Sequence, residues 1–229
     1  MKKSLRSALA IMICFAFALS ATSCASVQKP KQTGFLGEYY KDLKPGPKEG
    51  VKFRWIKPGT DFSKYKKMMI DPVVFYFAPD SEDKGIDPEV MKELGDIFNQ
   101  NIMDAVTDKS TIVAEPGPDV LRIKVALTGI RQSRPVLSGV SSVVPVGLVV
   151  SVVKKGTTDA WVGSGATGME AMFIDTATNE VVAAGQDEQV AGFTDRFTKY
   201  GSAKEAFKFW AERLKVVWKT LQATGKAPE

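Results

Sequence analysis

No histidine occurs anywhere in the 229 residues, and there are only two cysteines. The first absence removes the commonest general base, the commonest metal ligand and every Ser-His or Cys-His pairing. The second leaves no disulfide for a folded domain, because Cys14 lies inside an N-terminal apolar run and Cys24 just beyond it. Stability must therefore come from a packed core. Charge of one sign is also scarce. The net value of +5 comes from 31 basic and 26 acidic residues, and Lys2, Lys3 and Arg6 supply three of the former. Without them the balance is 28 against 26, or +2, too small for a nucleic-acid footprint.

What is present at the start is the order of a secretory leader. Residues 2–6 are cationic, 8–19 (ALAIMICFAFAL) are apolar, and SATS precedes Cys24. The apolar run is shorter than the roughly 20 residues a bilayer span needs. Ala21-Thr22-Ser23-Cys24 resembles a bacterial lipobox, with Ala21 where leucine is most frequent. The resemblance implies that residues 1–23 are a signal peptide and that Cys24 becomes the first mature residue. It would carry a diacylglyceryl group and palmitate, an anchor held by about 0.8 kcal/mol per buried methylene. Ala25 follows where similar inner-membrane lipoproteins have aspartate, which implies the outer membrane. The alternative is a soluble exported protein with a free Cys24, an exposed thiol in an oxidising compartment.

Residues 24–34 are polar and without period, as a flexible tether is. A single domain is expected over 35–224. GFLGEYYKDLKPGPKEG reads as a short amphipathic helix or turn, and Val51, Phe53 and Trp55 as one face of a strand ended by Pro58-Gly59. KKMMIDPVVFYFAPD reads as a central strand interrupted at Asp71-Pro72. A helix follows, with Asp87 as cap, Pro88 in its first turn and Ile86 stapled on Met91. Its apolar stripe runs Val90, Met91, Leu94, Ile97, Phe98, Ile102 and Ala105. Further strands are expected at Thr111–Glu115 and at Val120–Ile130, where Leu121, Ile123, Val125 and Leu127 share a face. Gly168–Ile174 and Glu180–Gly185 form a hairpin around DTATNE. The segment from Gly201 to Gly225 is the second helix, with Ser202 and Glu205 as a capping box and Gly225 as stop. Its buried stripe is Ala203, Ala206, Phe207, Trp210, Leu214, Val217, Trp218 and Leu221.

Motif-like stretches carry little chemistry. VGSGATG places Gly163, Gly165 and Gly168 at dinucleotide-loop spacing, but the following MEAMFID alternates like a strand where that loop needs a helix. Ser63 and Lys66 form an S-x-x-K with no S-D-N or K-T-G downstream. Asp80, Glu82, Asp83 and Asp87 crowd one loop and Asp187 and Glu188 another, without EF-hand spacing. Solvated loops account for them, although paired carboxylates, or Ser164, are what a hydrolase would use. Val136–Val153 is 18 residues without a charge. Pro145 and Gly147 at its middle and its many valines fit an internal packed segment; a membrane-contacting or oligomer-forming hairpin and a partner surface are the other readings.

KPGPKEG, RWIKPGTDFSKYKKMMIDPVVFYFAPDSEDKGIDP, EPGPDVLRIKVALTGI and IDTATNEVVAA resemble the bacterial lipoprotein family defined by the domain of unknown function 3313 (DUF3313), over about Gly34 to Leu221. The resemblance implies a lipid-anchored envelope protein and supplies no catalytic or binding residue. More loosely, the element order is similar to periplasmic domains of curli-secretion-type assembly lipoproteins. The expected fold is α+β: a mainly antiparallel sheet with two amphipathic helices packed on it and a short N-terminal helix or turn. The expected function is that of an outer-membrane lipoprotein with a periplasmic domain that binds or supports rather than catalyses. The membrane, other envelope proteins or a second copy would be its partners. A subunit of an outer-membrane secretion complex inserting 136–153, or a carboxylate-based hydrolase, are the alternatives. The only site residue assigned is Cys24, for lipidation, with no catalytic residue, cofactor or metal.

Overall fold

The computed structural model describes residues 30–48, 50–76, 87–106, 108, 111–130, 166–190 and 200–228. The strands are β1 (Lys44–Pro45), β2 (Phe53–Ile56), β3 (Lys67–Ile70), β4 (Val74–Phe75), β5 (Val120–Ile130), β6 (Ala166–Asp175) and β7 (Glu180–Val190). The helices are α1 (Pro88–Ala105) and α2 (Gly201–Thr224), and short 3-10 turns stand at Gly37–Asp42 and Phe62–Lys64. The seven strands make one sheet in the order β1-β2-β7-β6-β5-β3, with β4 also on β5. The architecture is the α+β class read from the sequence, with a mainly antiparallel sheet and two helices on it.

β5, β6 and β7 form the spine. β6 and β7 are antiparallel neighbours joined by the turn at 176–179, where Asn179 takes the left-handed conformation at φ 57°. Asparagine tolerates that region better than most residues. Both strands exceed the predicted hairpin, because β7 stays paired with β6 as far as Val190.

The expected central strand at 67–75 is instead the edge of the sheet, and it runs parallel to β5. Asp71 to Val73 interrupt it as expected, giving β3 and β4 in line along one partner. The direction follows from the connection: α1 lies between β4 and β5, and parallel neighbours need such a crossover. The strand expected at Thr111–Glu115 shrinks to one bridge between Ile112 and Met68.

α1 begins as predicted. Asp87 accepts a hydrogen bond from the Glu89 amide at 2.8 Å and Pro88 occupies the first turn. Ile86, the proposed staple partner, lies outside the described residues. The capping box of α2 does not form. The cap is Tyr200, without a side-chain bond, and Ser202 lies two residues inside it with a buried hydroxyl that has no partner among the described residues. The other end is as read: Gly225 stops the helix at φ 68°.

One sheet face carries the core. Leu94, Phe98 and Ile102 of α1 and Ala203, Phe207 and Trp210 of α2 pack on Ile123, Val125, Leu127, Met169 and Ala171. Phe98 and Phe207 meet edge to face at 5.3 Å. The other face holds a smaller cluster in which Leu36 and Tyr40 cover Ala184. Cys24, residues 136–153, Gly163, Ser164, Gly165, Asp80, Glu82 and Asp83 lie outside the described residues.

Candidate functional site

Strand alternation sorts the polar groups of β6 and β7 onto opposite faces. On the face away from the helices, Glu170 is completely buried. It accepts from Tyr40 Oη at 2.7 Å, Thr33 Oγ1 at 2.9 Å and Gln186 Nε2 at 2.7 Å. Burial pushes its carboxyl pKa up, against the lowering effect of those three donors. Gln186 also bonds Lys31 through both its amide and its carbonyl, at 3.0 and 2.5 Å. Glu188 holds Lys31 Nζ at 2.9 Å and Lys52 Nζ at 3.5 Å. Burial raises its carboxyl pKa, but the two ammonium groups outweigh that and hold it below the ordinary value. The first described residues, Lys31 and Thr33, are thus strapped to the sheet by side chains of β6 and β7.

On the helix face, Asp187 accepts from the indole Nε1 of Trp210 at 2.8 Å. Asp187 and Glu188 were expected to share a loop; they are neighbours on β7 and point to opposite faces, so they make no paired site. Lys66 Nζ bonds the backbone carbonyl of Ser63 at 2.7 Å, not its hydroxyl. Gly168 lies within β6 rather than ahead of a helix, and a Cβ there would stand 2.6 Å from Thr128 Oγ1. No group of three or more Cys, Asp or Glu side chains is arranged to hold a metal among the described residues.

The distinctive feature of the helix face is a cavity of about 230 Å³ between α2 and the sheet. Its origin is legible in side-chain size. The floor under the second half of α2 is built from Ala171 of β6 and Ala183 and Gly185 of β7, which leave the space that large side chains would fill. Above it, Leu214 and Val217 of α2 are only half-buried, although they lie on the same stripe as buried Trp210 and Leu221. The inner end is closed by Phe98, Ile102 and Trp210, all buried.

The mouth lies between the β1–β2 turn and α2, where Pro47, Val51, Val216 and Thr220 are partly or fully exposed. Among the described residues its lining contains two charged side chains, both arginine: Arg54 and Arg213. Arg54 projects to the helix face because it pairs with Gly185, and its Nη1 donates to the carbonyl of Pro228 in the C-terminal tail. Arg213 lies over the ring of Phe209 at 5.6 Å. Neither arginine was singled out from the sequence, nor were the alanines of the floor. The signal available was the run of small residues in VVAAG, which reads as strand but says nothing of what lies above it.

The family described as "Protein of unknown function (DUF3313)" matches residues 31–214. The chain is 30% identical over 172 residues to the uncharacterized lipoprotein YdcL of Escherichia coli K12, covering 74% of this chain and 76% of that protein. Among solved structures it is similar to a PelC dodecamer subunit from Paraburkholderia phytofirmans, with a TM-score of 0.38 and 12% identity over 71% of this chain and 94% of that one. It is also similar to protein XCC0632 of Xanthomonas campestris, a DUF330 member, with a TM-score of 0.36 and 10% identity over 69% and 85% of the two chains. No helix among the described residues is long and apolar enough to cross a membrane.

Proposed function

The chain belongs to the DUF3313 family, and from that premise we propose that it is an outer-membrane lipoprotein whose domain binds an apolar molecule in the cavity beneath α2. Removal of residues 1–23 leaves Cys24 as the lipidated N-terminus, the domain faces the periplasm, and its role is binding rather than catalysis. The lipobox-like ATSC and the lipoprotein name of the Escherichia coli relative support the anchor.

The cavity carries the binding reading. Protein interiors are close-packed, so an apolar pocket of about 230 Å³ that opens at a mouth leaves its walls facing water instead of other side chains. Ala171, Ala183 and Gly185 maintain the space where larger residues would close it, and a bound apolar molecule would restore the missing contacts.

The test uses the full-length lipoprotein in zwitterionic nanodiscs with the neutral apolar fluorophore N-phenyl-1-naphthylamine. Energy transfer from tryptophan should saturate above an empty-nanodisc background and fall on Ala183→Leu, which fills the floor. Equal transfer in both proteins would overturn the binding reading. For the anchor, Cys24→Ser should move the protein out of the outer-membrane fraction.

A further inference from the structure

Resting on that binding reading, we propose that residues 226–228 form a lid on the cavity, latched by Arg54, which swings open about Gly225 to admit the apolar molecule. The path of the chain carries this. Gly225 ends α2 in the left-handed conformation, at φ 68°, and turns the chain back toward the sheet. Its carbonyl accepts from the Phe62 amide at 2.9 Å, which fixes the turning point against the 3-10 turn at Phe62–Lys64. From there the tail runs to Arg54 of β2, whose Nη1 donates to the Pro228 carbonyl. Lys226 faces solvent, whereas Ala227 and Pro228 are half-buried. Both line the cavity, together with Arg54 and Ile56 of β2 and Val217 and Leu221 of α2. The tail thus covers the gap between β2 and the second half of α2.

Its attachments are those of a lid rather than a wall. The Lys226 amide and carbonyl both bond the Thr224 hydroxyl, at 3.1 and 3.0 Å, so that turn is closed within the end of the helix and the tail. Past Gly225, one hydrogen bond among the described residues joins the tail to the sheet, the one from Arg54. Ala227 adds a small apolar contact to the cluster of Phe62, Tyr65, Leu121, Val182 and Leu221. A hydrogen bond from a charged donor, at the weaker end of its range, holds such a segment shut by about tenfold. Opening uncovers one alanine and one proline and leaves the helix and sheet in place. Entry scales with the fraction of molecules that are open, so the latch slows association by about the same factor.

The experiment mixes the full-length protein in zwitterionic nanodiscs with N-phenyl-1-naphthylamine in a stopped-flow instrument. Entry is read as the rise of energy transfer from tryptophan above the empty-nanodisc background. Arg54→Met removes the donors and keeps an apolar stem of similar length, and Ala227→Gln sets an amide against the apolar cluster. Each should speed association by about tenfold. The double variant should be no faster than the faster single one, because a lid shut by about tenfold is fully open after either loss. Unchanged rates in both single variants would overturn the lid. Rates that multiply in the double variant would also overturn it, since two independent changes to a fixed mouth behave that way. Absence of saturable transfer in the wild type and in all variants would overturn the binding reading instead.

Discussion

Replacing Asp175 by asparagine tests the most heavily bonded carboxylate in the described structure. It ends β6 with 3% of its surface exposed. Its Oδ2 accepts from Lys64 Nζ at 2.5 Å and Tyr65 Oη at 2.9 Å, and its Oδ1 from the amides of Ala177 and Thr178 at 2.8 and 3.2 Å. One side chain thereby closes the β6–β7 turn and fixes the 3-10 turn that carries Tyr65 against the sheet. Burial pushes the carboxyl up, but the four donors outweigh it and bring the pKa from 3.8 to about 2. At about 1.4 kcal/mol per pKa unit that shift corresponds to about 2.4 kcal/mol, and half-exposed Lys64 reduces it to about 2 through solvent screening. Because the folded pKa is depressed, this stability is present above pH 4 and lost as pH falls through about 2. Asp175→Asn should cost about 2 kcal/mol near neutral pH, with the deficit closing toward zero near pH 2. Urea unfolding of both proteins, followed by tryptophan fluorescence at several pH values, reads the difference directly. A deficit that stays constant with pH would refute the assignment of the stabilisation to the ionised carboxylate.

The buried Glu170 titrates in the opposite sense. Its folded pKa is raised, so its contribution is fullest below the ordinary value of 4.5 and declines as pH rises through the folded pKa. Glu170→Gln should therefore gain on wild type in urea midpoints as pH rises above 4.5. Tyr40→Phe removes the 2.7 Å bond to Glu170 and should cost about 1–3 kcal/mol, with faster amide exchange over residues 31–40. Gly225→Ala should lower stability by about 1–3 kcal/mol, because φ is +68° and the added Cβ would stand 2.7 Å from Asp61 Oδ1. Thermal melts check it; an unchanged melting temperature would mean that the helix end can move away from the turn at Phe62–Lys64.

Local signals were read well where a residue acts on its own neighbours. Asp87 and Pro88 start α1, Gly225 ends α2, and the turn after Asp175 falls on TATN, because caps and turns are satisfied within a few residues. Ser202 and Glu205 match a cap by spacing, yet α2 is capped two residues earlier, at Tyr200, and begins at buried Gly201. The strand at 67–75 was identified with its interruption at Asp71. Its place at the edge was not, since partner and direction depend on how α1 returns the chain to β5. Glu170 was passed over because a single acid in an alternating strand reads as solvent-facing, and only the N-terminal segment laid across that face makes it buried.

By itself the sequence determined composition-level chemistry, the two amphipathic helices and the strand periodicities. Those are properties of contiguous residues, and periodicity and capping are local. The tertiary structure alone decided the cavity. Ala171, Ala183 and Gly185 come from two strands, Leu214 and Val217 from a helix and Arg54 from a third strand, 160 residues before Leu214. Small side chains become empty volume only when a distant helix is laid above them. Arg54 and Arg213 come to line one cavity only when the fold lays the C-terminal helix across the sheet.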